Sequence, residues 1–323
     1  MRNIRTLLTL LVLCISVALS PVALAQDYPI KPLRLVNPFP PGTSTSIMSR
    51  AFAQKFQEQT GQAMIVDHRP GAASNLGSDL VAKSAPDGYT LLLGTSSLAI
   101  NPSLYRSMPF DPIRDLAPIA LLARTPNMLA VSVSLPVHSV KELIDYAQRN
   151  PGQLNYSSSG NGATNHLGME LFKRMARIDI VHIPFKGGAD AVTALLGGQT
   201  QVMLSPPSTV GPHERTGRLR IIATGSERRI EGTNLPTVAE AGLPGFESSV
   251  WLGLFAPAGT AAGVIERLNR EANLALRDRQ MVDMMTAGSL TPVGGSEDEM
   301  RRVLVRDSSR FAEVVRASGA KID

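Results

Sequence analysis

The alternation of short apolar runs with helical patterns is the feature of this sequence that most restricts its fold. Residues 33–36, 64–66 and 179–185 are short and mostly apolar, and each is followed by a segment with apolar side chains at helical spacing. Residues 89–94 form a further apolar run, as expected for a strand that is buried on both faces of a parallel sheet. Repeated strand–loop–helix units of this kind predict an α/β protein in which helices flank the sheets.

The order of the predicted strands indicates two lobes. Residues 119–123 and 128–133 have strand-like patterns, and residues 124–127 between them are interpreted as a first crossing from one lobe to the other. The strand at 251–256 would return the chain to the first lobe. The predicted segments are 26–124 plus 250–323 for lobe 1 and 125–249 for the inserted lobe 2.

Proline and helical periodicity complete this outline. Four prolines predict a loop over residues 101–118. Two helices, at about 261–276 and 297–317, are expected to finish the chain and to pack on its outside.

The first 25 residues have the pattern of an export signal. Arg2 and Arg5 precede an uncharged apolar run. The segment ends in an A-x-A motif at Ala25, after which cleavage is expected. The alternative is a membrane anchor, but the run is shorter than the roughly 20 apolar residues that a span needs. Cys14 is the only cysteine and lies in this segment, so the mature chain is expected to have no disulfide and no cysteine-based metal site.

Charge and motifs argue against several classes of protein. The formal net charge of +5 comes from scattered basic residues, whereas nucleic-acid binding needs a clustered basic face. The five histidines show no metal-binding spacing, and the glycine-rich loops match neither the P-loop nor the dinucleotide-binding pattern. We therefore expect no metal, no cofactor and no nucleic-acid partner.

Small polar residues follow several predicted strands, at 37–45, 95–97, 155–164, 186–190 and 205–209. At 37–45, 155–164 and 186–190 they also precede a predicted helix. A helix N-terminus has unpaired N–H groups and a positive dipole end, so it attracts anions. For the stretch 155–173, ordinary N-capping by serine or asparagine explains the same residues without any ligand. The residues alone leave both interpretations open.

An enzymatic function is the alternative from another class. Gly94-Thr95-Ser96-Ser97 lacks the second glycine of a nucleophile elbow. Lys186 could form a Schiff base, and His166 lies on the first turn of a predicted helix, so an exported hydrolase or lyase using these two residues is kept as a hypothesis. No nucleophile–base–acid set can be assembled from the sequence. A ligand-sensing subunit of a signalling system is a further possibility.

Several motifs in combination resemble one known family. They are YPIKPLRLVNPFPPG, RPGAASNLGSDLVAKSAPDGYTLLLGTSS, NPGQLNYSSSGNGATNHL, IPFKGG, LLGGQTQVM and LPTVAEAGLPGFESSVWLGLFAPAGT. In this combination the chain resembles the Bug-type periplasmic receptors of tripartite tricarboxylate transporters. The resemblance implies a two-lobed type II periplasmic binding fold, or Venus flytrap, with a βα sheet and flanking helices in each lobe. It also implies a periplasmic, non-enzymatic monomer that delivers a carboxylate to integral-membrane permease subunits.

The resemblance also implies the ligand-binding residues. One carboxylate would contact the first loop, at Phe39, Pro40, Pro41, Gly42, Thr43 and Ser44, with Thr95 and Ser96 close by. The other end would contact Ser158, Ser159, Gly160, Asn161, Gly162 and Thr164, with His166 and Lys186 behind or beside them and Ser205 at the end of a neighbouring strand. Many family members have an acid where this chain has Ser46 and near Ser205, which argues against a ligand with an amino group.

Overall fold

The structure is a computed structural model, and it describes residues 28–230 and 232–321. The predicted export signal, its cleavage point and Cys14 lie outside the described residues. None of the described helices is long and apolar enough to cross a membrane.

Three consecutive sections of chain build the fold. The first section contains β1 (Leu33–Asn37), α1 (Ser44–Thr60), β2 (Met64–His68), α2 (Asn75–Ala82), β3 (Thr90–Thr95), α3 (Ser97–Leu104) and β4 (Leu116–Pro126). The second contains β5 (Met128–Ser132), α4 (Val140–Arg149), β6 (Asn155–Ser158), α5 (Thr164–Ala176), β7 (Val181–Pro184), α6 (Gly188–Leu196), β8 (Val202–Ser205), α7 (Pro207–Arg215) and β9 (Leu219–Thr224). The third contains β10 (Ser249–Pro257), α8 (Ala262–Ala275), α9 (Arg279–Ala287), β11 (Thr291–Pro292) and α10 (Glu297–Ser318).

The strands form two mixed sheets. Sheet 1 has six strands in the order β11-β4-β10-β3-β1-β2, and sheet 2 has five in the order β7-β6-β8-β5-β9. In sheet 1, β1 is parallel to β2 and β3, while β10 is antiparallel to β3 and β4. In sheet 2, β6 is parallel to β7 and β8, and β5 is antiparallel to β8 and β9. The parallel strands therefore carry their following loops to one edge of each sheet.

Helix α1 shows how the apolar pattern places an element on its sheet. Met48, Phe52 and Phe56 are almost fully buried and belong to the core around β1 and β3. Spacings of four residues put these side chains on one face of the helix. The apolar pattern also predicts Ile47 on this face, which is wrong because its side chain is 54% exposed at the start of the helix.

The chain crosses between the two sheets at Asn127, and this crossing sets how the sheets are oriented. β4 is antiparallel to β10, which is antiparallel to β3, so β4 ends at the same edge of sheet 1 as β3 does. β5 begins directly afterwards, with Met128 paired to Ser205 at the end of β8. The crossing therefore leaves sheet 1 at the ends of its parallel strands and enters sheet 2 at the ends of its own.

Two other segments of the chain, at Gly225 and at Ser248, are hydrogen-bonded to the crossing at Asn127. The N–H of Asn127 donates to the carbonyl of Ser248 (2.9 Å), and the N–H of Gly225 donates to the carbonyl of Asn127 (2.7 Å). Ser248 in turn donates its N–H to the carbonyl of Gly225 (2.8 Å), and the Asn127 amide nitrogen donates to the Ser248 hydroxyl (2.9 Å). Three separate segments are thus joined at one point.

A buried ionic cluster lies next to this point. Glu247 is only 7% exposed, and its carboxylate forms ion pairs with Arg124, Arg306 and Arg310. Burial alone would raise the pKa of the Glu247 carboxyl, but the three guanidinium groups together hold that pKa below its usual range. The cluster connects β4 and the segment before β10 to helix α10.

Three helices differ from the sequence-based expectations. The stretch 101–118 is not wholly a loop, because α3 continues to Leu104 with Pro102 inside it and buries Leu98 and Ile100. Helix α7 is not predicted from the sequence, because Pro206 and Pro207 are typical of a loop, although proline is well accommodated in the first turn of a helix. Helix α9 was missed although Asp278 caps it by accepting from the N–H of Met281 (3.0 Å).

Gly225 should be essential for the packing at the crossing. A Cβ added there would lie 2.7 Å from the Ser248 carbonyl oxygen and 3.0 Å from that of Asn127, and neither backbone atom can move aside cheaply. We predict that Gly225→Ala lowers the free energy of unfolding by about 1–3 kcal/mol, the usual cost of overpacking. Urea unfolding of the purified variant measures this.

Gly263→Ala is the matched control, because nothing lies within 4 Å of an added Cβ at that helical position. It should leave the free energy of unfolding unchanged or raise it by about 0.5–1 kcal/mol, since alanine favours a helix. Equal stability of the two variants would contradict the close approach at Gly225.

Candidate ligand-binding site

The loop after β1, residues 38–43, leads directly into helix α1. Thr43 is the N-cap, and its hydroxyl oxygen accepts from the N–H of Ser46 (3.3 Å) and donates to the carbonyl of Pro40 (3.0 Å). Gly42 has a φ of 87°, in the left-handed region where glycine carries no Cβ penalty. Pro40, Pro41 and Gly42 are exposed, and Ser44 is the first residue of the helix.

Two side chains form hydrogen bonds with the backbone of this loop. The Asn37 amide oxygen accepts from the N–H of Phe39 (3.1 Å), and the His68 Nδ1–H donates to the Phe39 carbonyl (2.8 Å). Among the residues that the structure describes, the N–H groups of Gly42, Thr43 and Thr45 donate to no protein acceptor. This helix start therefore presents unpaired donors even though its N-cap is in place.

The end of β3 adds hydroxyl groups at the same edge of sheet 1. The Ser97 hydroxyl lies 2.8 Å from that of Thr95 and 2.6 Å from that of Ser74. The Ser96 hydroxyl is fully buried and accepts from the N–H of Trp251 (2.9 Å), so it is used within the fold.

Ser74 reaches this group through a strained turn. Ala72, Ala73 and Ser74 all have positive φ values of 46°, 50° and 80°. Such conformations cost about 1–2 kcal/mol per residue for residues with a Cβ, so the surroundings must impose them. The Asn101 amide nitrogen does so in part, because it donates to the Ala73 carbonyl (2.9 Å) and to the Asn75 amide oxygen (2.7 Å).

The loop after β6, residues 158–164, is here called the clamp loop, and Asn165 anchors it. The buried Asn165 amide oxygen accepts from both the N–H and the hydroxyl of Ser159 (3.3 and 3.0 Å) and from the N–H of His166 (3.0 Å). Helix α5 begins at Thr164, and its N-cap, Ala163, makes no side-chain cap. The ordinary N-cap interpretation of the serines and of Asn161 is therefore not what the structure shows.

Unpaired donors remain at this helix start as well. Gly160 donates its N–H to the Ser158 hydroxyl (3.2 Å), and Gly162 donates to His166 Nδ1 (3.0 Å). Within residues 28–230 and 232–321, the N–H groups of Asn161, Thr164 and Asn165 donate to no protein acceptor. Because Asn161 is exposed and Thr164 is half-buried, two of these donors lie at or near the surface.

A stack of three aromatic rings lies beneath the clamp loop. The rings of His166 and His182 are parallel within 12°, with centroids 4.0 Å apart, and Tyr156 stacks on His182 at 4.7 Å. His182 Nε2 lies 2.6 Å from the Ser158 hydroxyl. The Tyr156 hydroxyl donates to the Glu170 carboxylate (2.6 Å), which also pairs with Lys173 (2.8 Å).

Burial controls the ionisation of this stack. It lowers the pKa of the His166 imidazole, and it lowers that of His182 to about 4, with the neighbouring His166 adding to the effect. Burial and the adjacent Glu170 carboxylate raise the pKa of the Tyr156 hydroxyl. All three rings are therefore neutral at neutral pH.

The remaining predicted residues lie on neighbouring strands of sheet 2. Ser158 pairs with Pro184 in the parallel register of β6 and β7. The exposed Lys186 lies two residues after the end of β7, so it is near the start of the clamp loop. The Phe185 N–H donates to the Ser158 carbonyl (3.0 Å), which fixes this proximity. Ser205 is buried at the end of β8, opposite Met128 at the crossing.

The structure thus assembles the predicted residues in two groups, one at the ends of the parallel strands of each sheet. Both edges adjoin the crossing at Asn127. Helix α5 also comes so close to the crossing that a Cβ on Gly168 would overlap the Ser248 hydroxyl. The arrangement offers backbone N–H groups and hydroxyls, which suit an anion.

Several residues of the site were missed from the sequence. Asn165 is not indicated by the sequence, because an asparagine in the second position of a helix has no distinctive pattern and its three hydrogen bonds depend on the path of the loop. Nothing in the sequence distinguishes His182 from an ordinary strand histidine, since only the register of β6 and β7 brings it to Ser158 and Tyr156. Ser74 and Ser97 are too far apart in sequence to suggest their contact. Among the described residues no group of three or more side chains could hold a metal ion.

Comparison with known proteins extends this picture. The family model of the tripartite tricarboxylate transporter family receptor matches residues 48–320. Protein BugT of Bordetella pertussis is 38% identical, over 92% of this chain and 92% of its own. The structure of R. palustris Rpa4515 with adipate is 34% identical, has a TM-score of 0.75 and covers 92% of this chain and 100% of that one. MatC from Rhodopseudomonas palustris with bound malate is 27% identical, has a TM-score of 0.69 and covers 89% and 100% of the two chains.

The fold and the site together define a class of α/β proteins. Two sheets are joined by crossing segments, and the loops beside the crossing carry N–H donors that can bind an anion. Within that class, the chain belongs to the tripartite tricarboxylate transporter receptor family. This confirms the family resemblance and the α/β fold class predicted from the sequence.

Asn165 should be required for the clamp loop to keep its shape. We predict that Asn165→Ala lowers the free energy of unfolding by about 1–3 kcal/mol, because it leaves the buried N–H of His166 and the Ser159 donors without an acceptor. Asn165→Asp keeps an acceptor oxygen in the same place and should be closer to the wild type. Urea unfolding without ligand compares the three proteins, and equal losses for both variants would show that the acceptor does not matter.

Proposed function

We propose that the protein is a periplasmic receptor that binds a small carboxylate between the loops at the ends of the two sheets. The loop at 38–43 holds one carboxylate, and the clamp loop holds the other end of the ligand. The bound form is then delivered to integral-membrane permease subunits of a tripartite tricarboxylate-type transporter. Closure of the two lobes about the crossing completes the binding site.

The single observation that carries this proposal is the presence of unpaired N–H donors at two helix starts, one beside each sheet. The N–H groups of Gly42 and Thr43 at one helix start, and of Asn161 and Thr164 at the other, have no acceptor among the described residues. A carboxylate supplies the acceptor oxygens that such groups need, and the positive end of each helix dipole favours its charge.

The ligands of similar proteins support a dicarboxylate. Adipate and malate, which are named with two structures similar to this chain, both carry two carboxyl groups. A ligand with a carboxylate at each end suits two donor sites that lie on different sheets. Tricarboxylates and aromatic carboxylates belong to the same proposed class.

The surroundings of Ser46 argue against a ligand with an amino group. The buried Ser46 hydroxyl accepts from the Arg50 guanidinium (2.8 Å) and lies 3.4 Å from His68 Nε2. A guanidinium this close would repel an ammonium group. We therefore propose a ligand in which carboxylates are the only charged groups.

An enzymatic role has one observation in its favour, which is the 2.6 Å contact between the Ser158 hydroxyl and His182 Nε2. A nucleophilic serine must reach a substrate, whereas Ser158 is fully buried and its hydroxyl also contacts the carbonyl and the N–H of Gly160 (both 3.2 Å). His166, the other candidate base, has its Nδ1 occupied by Gly162. We propose that the protein is not an enzyme.

The cellular setting follows from the same proposal. Export with cleavage after Ala25 would release a chain that acts in the periplasm as a monomer. The alternative role as a ligand-sensing subunit would differ only in the membrane protein to which the ligand-bound form is presented.

Carboxylates should stabilise the protein in proportion to their affinity. At a ligand concentration of 100 times Kd the expected gain is about 2.7 kcal/mol in the free energy of unfolding. Thermal unfolding with a panel of di-, tri- and aromatic carboxylates, together with native mass spectrometry of protein purified without added ligand, tests this. If no panel member raises Tm and no ligand co-purifies, the proposal is wrong.

A variant at Lys186 distinguishes the proposed receptor function from the alternative of a lyase. In a receptor, Lys186→Ala should raise Kd by about tenfold at most, since an exposed charge only assists binding. Lys141→Ala removes an exposed lysine on α4 that pairs with Asp145 and should leave Kd unchanged. Turnover of a carboxylate by the wild type that disappears in the folded Lys186→Ala variant would support the enzyme instead.

A further inference from the structure

The clamp loop depends on an imidazole that can act as an acceptor. Gly162 has a φ of 75° and donates its buried N–H to His166 Nδ1 (3.0 Å). A neutral histidine has one ring nitrogen with a free lone pair, and here that nitrogen must be Nδ1. Protonation of His166 would put a second N–H against that of Gly162, so the turn at Gly162 would lose its acceptor.

The stacking with His182 makes this dependence stronger. The two rings lie face to face with centroids 4.0 Å apart, so a charge on either ring would face the other at close range, with His166 buried and His182 half-buried. His182 also contacts the Ser158 hydroxyl at the opposite end of the clamp loop. One pair of rings therefore supports both ends of the loop.

We propose that His166 and His182 are positioning residues that hold the clamp loop in its ligand-binding conformation only while both rings are neutral. This deepens the proposed function and rests on it. The receptor would bind its carboxylate at neutral pH and lose affinity in acid because the loop is released. In this proposal the pair acts through the shape of the loop, not through a contact with the ligand.

The charged groups around the pair permit this behaviour. On α5 itself, Glu170 favours protonation of the two rings and Lys173 opposes it. On β6, the Tyr156 hydroxyl donates to Glu170 and shares it with Lys173. From α10, Glu313 reaches Arg174 (3.5 Å) at the far end of α5, and the exposed Lys186 follows β7.

The direction of the pH effect follows from burial. Because burial holds the pKa of both rings below the ordinary value of about 6.5, the neutral pair contributes fully above about pH 6.5. Its contribution falls as the pH decreases toward about 4, the pKa of His182.

Variants that keep the hydrogen bonds without titrating provide the test. In His166→Asn/His182→Gln, an amide oxygen can replace the acceptor at Nδ1 and an amide nitrogen can replace Nε2. The binding of adipate to this double variant and to the wild type is measured by calorimetry between about pH 7.5 and 5. The wild type should lose roughly tenfold more affinity over this range than the double variant does, since the titration of adipate itself is common to both.

His166→Ala supplies the direct test of positioning, and His138→Asn, at an exposed histidine, is its control. The alanine variant should bind adipate about tenfold or more weakly at pH 7.5, and the control should bind like the wild type. Hydrogen exchange of the Gly162 amide, measured without ligand, should show a protection factor that is lost in His166→Ala and, for the wild type, in acid.

The outcomes separate the two proposals. Normal Gly162 protection in folded His166→Ala, or the same pH profile in the double variant and the wild type, would overturn the positioning role. If the wild type binds no carboxylate at pH 7.5 while Gly162 protection still depends on His166, the proposed function fails and the support of the loop by histidine remains. If His166→Ala does not fold, His166→Asn and His166→Leu make the same comparison, with and without an acceptor.

Discussion

The hydrogen-bonded crossing at Asn127 is the constraint on which the rest of the structure depends. Because β4 ends and β5 begins at the carboxyl edges of their sheets, every loop that follows a parallel strand lies at the sheet edge that the crossing leaves or enters. Gly225 and Ser248 join two further segments to it through main-chain hydrogen bonds, and the buried Glu247, next to Ser248, forms an ion pair with helix α10. The loops that we propose as the binding site all lie at sheet edges that adjoin this crossing. In the proposed receptor they approach each other by rotation about a few residues at the crossing, without any change within either sheet.

Other side chains satisfy many of the polar groups of the two loops, and the donors left over are the groups that we propose contact a ligand. Asn165 takes three hydrogen bonds in the clamp loop, and His166 takes a fourth from Gly162. On the other sheet, Asn37 and His68 hold Phe39 in the same way. Preorganised donors bind an anion without an ordering cost at the moment of binding. The hydroxyls of Ser96 and Ser158 serve this support, which is why richness in serine by itself does not identify the groups that contact a ligand.

Much of the fold could be predicted from the sequence, because strands such as β1, β3 and β10 are apolar and short and because helices such as α10 have clear periodicity. Helices α3, α7 and α9 could not, since proline and the lack of a long apolar face conceal them. In the site, the loops were predictable from small residues that follow strands and precede helices. The partners of those loops were not: His182 reaches Ser158 only through strand register, and Ser74 reaches Ser97 only through a strained turn. Local pattern predicts where a loop lies, whereas its hydrogen bonds depend on the tertiary arrangement.

The central claim is that one ligand is held by both loops at once. Backbone amide NMR of the labelled protein during a titration with adipate or malate tests it most directly, because it follows Gly42 on one sheet and Asn161 on the other in a single experiment. The account predicts that both amide resonances shift with the same saturation curve as the two N–H groups gain an acceptor. Shifts at only one loop, or different dissociation constants for the two, would contradict a ligand clamped between the sheets.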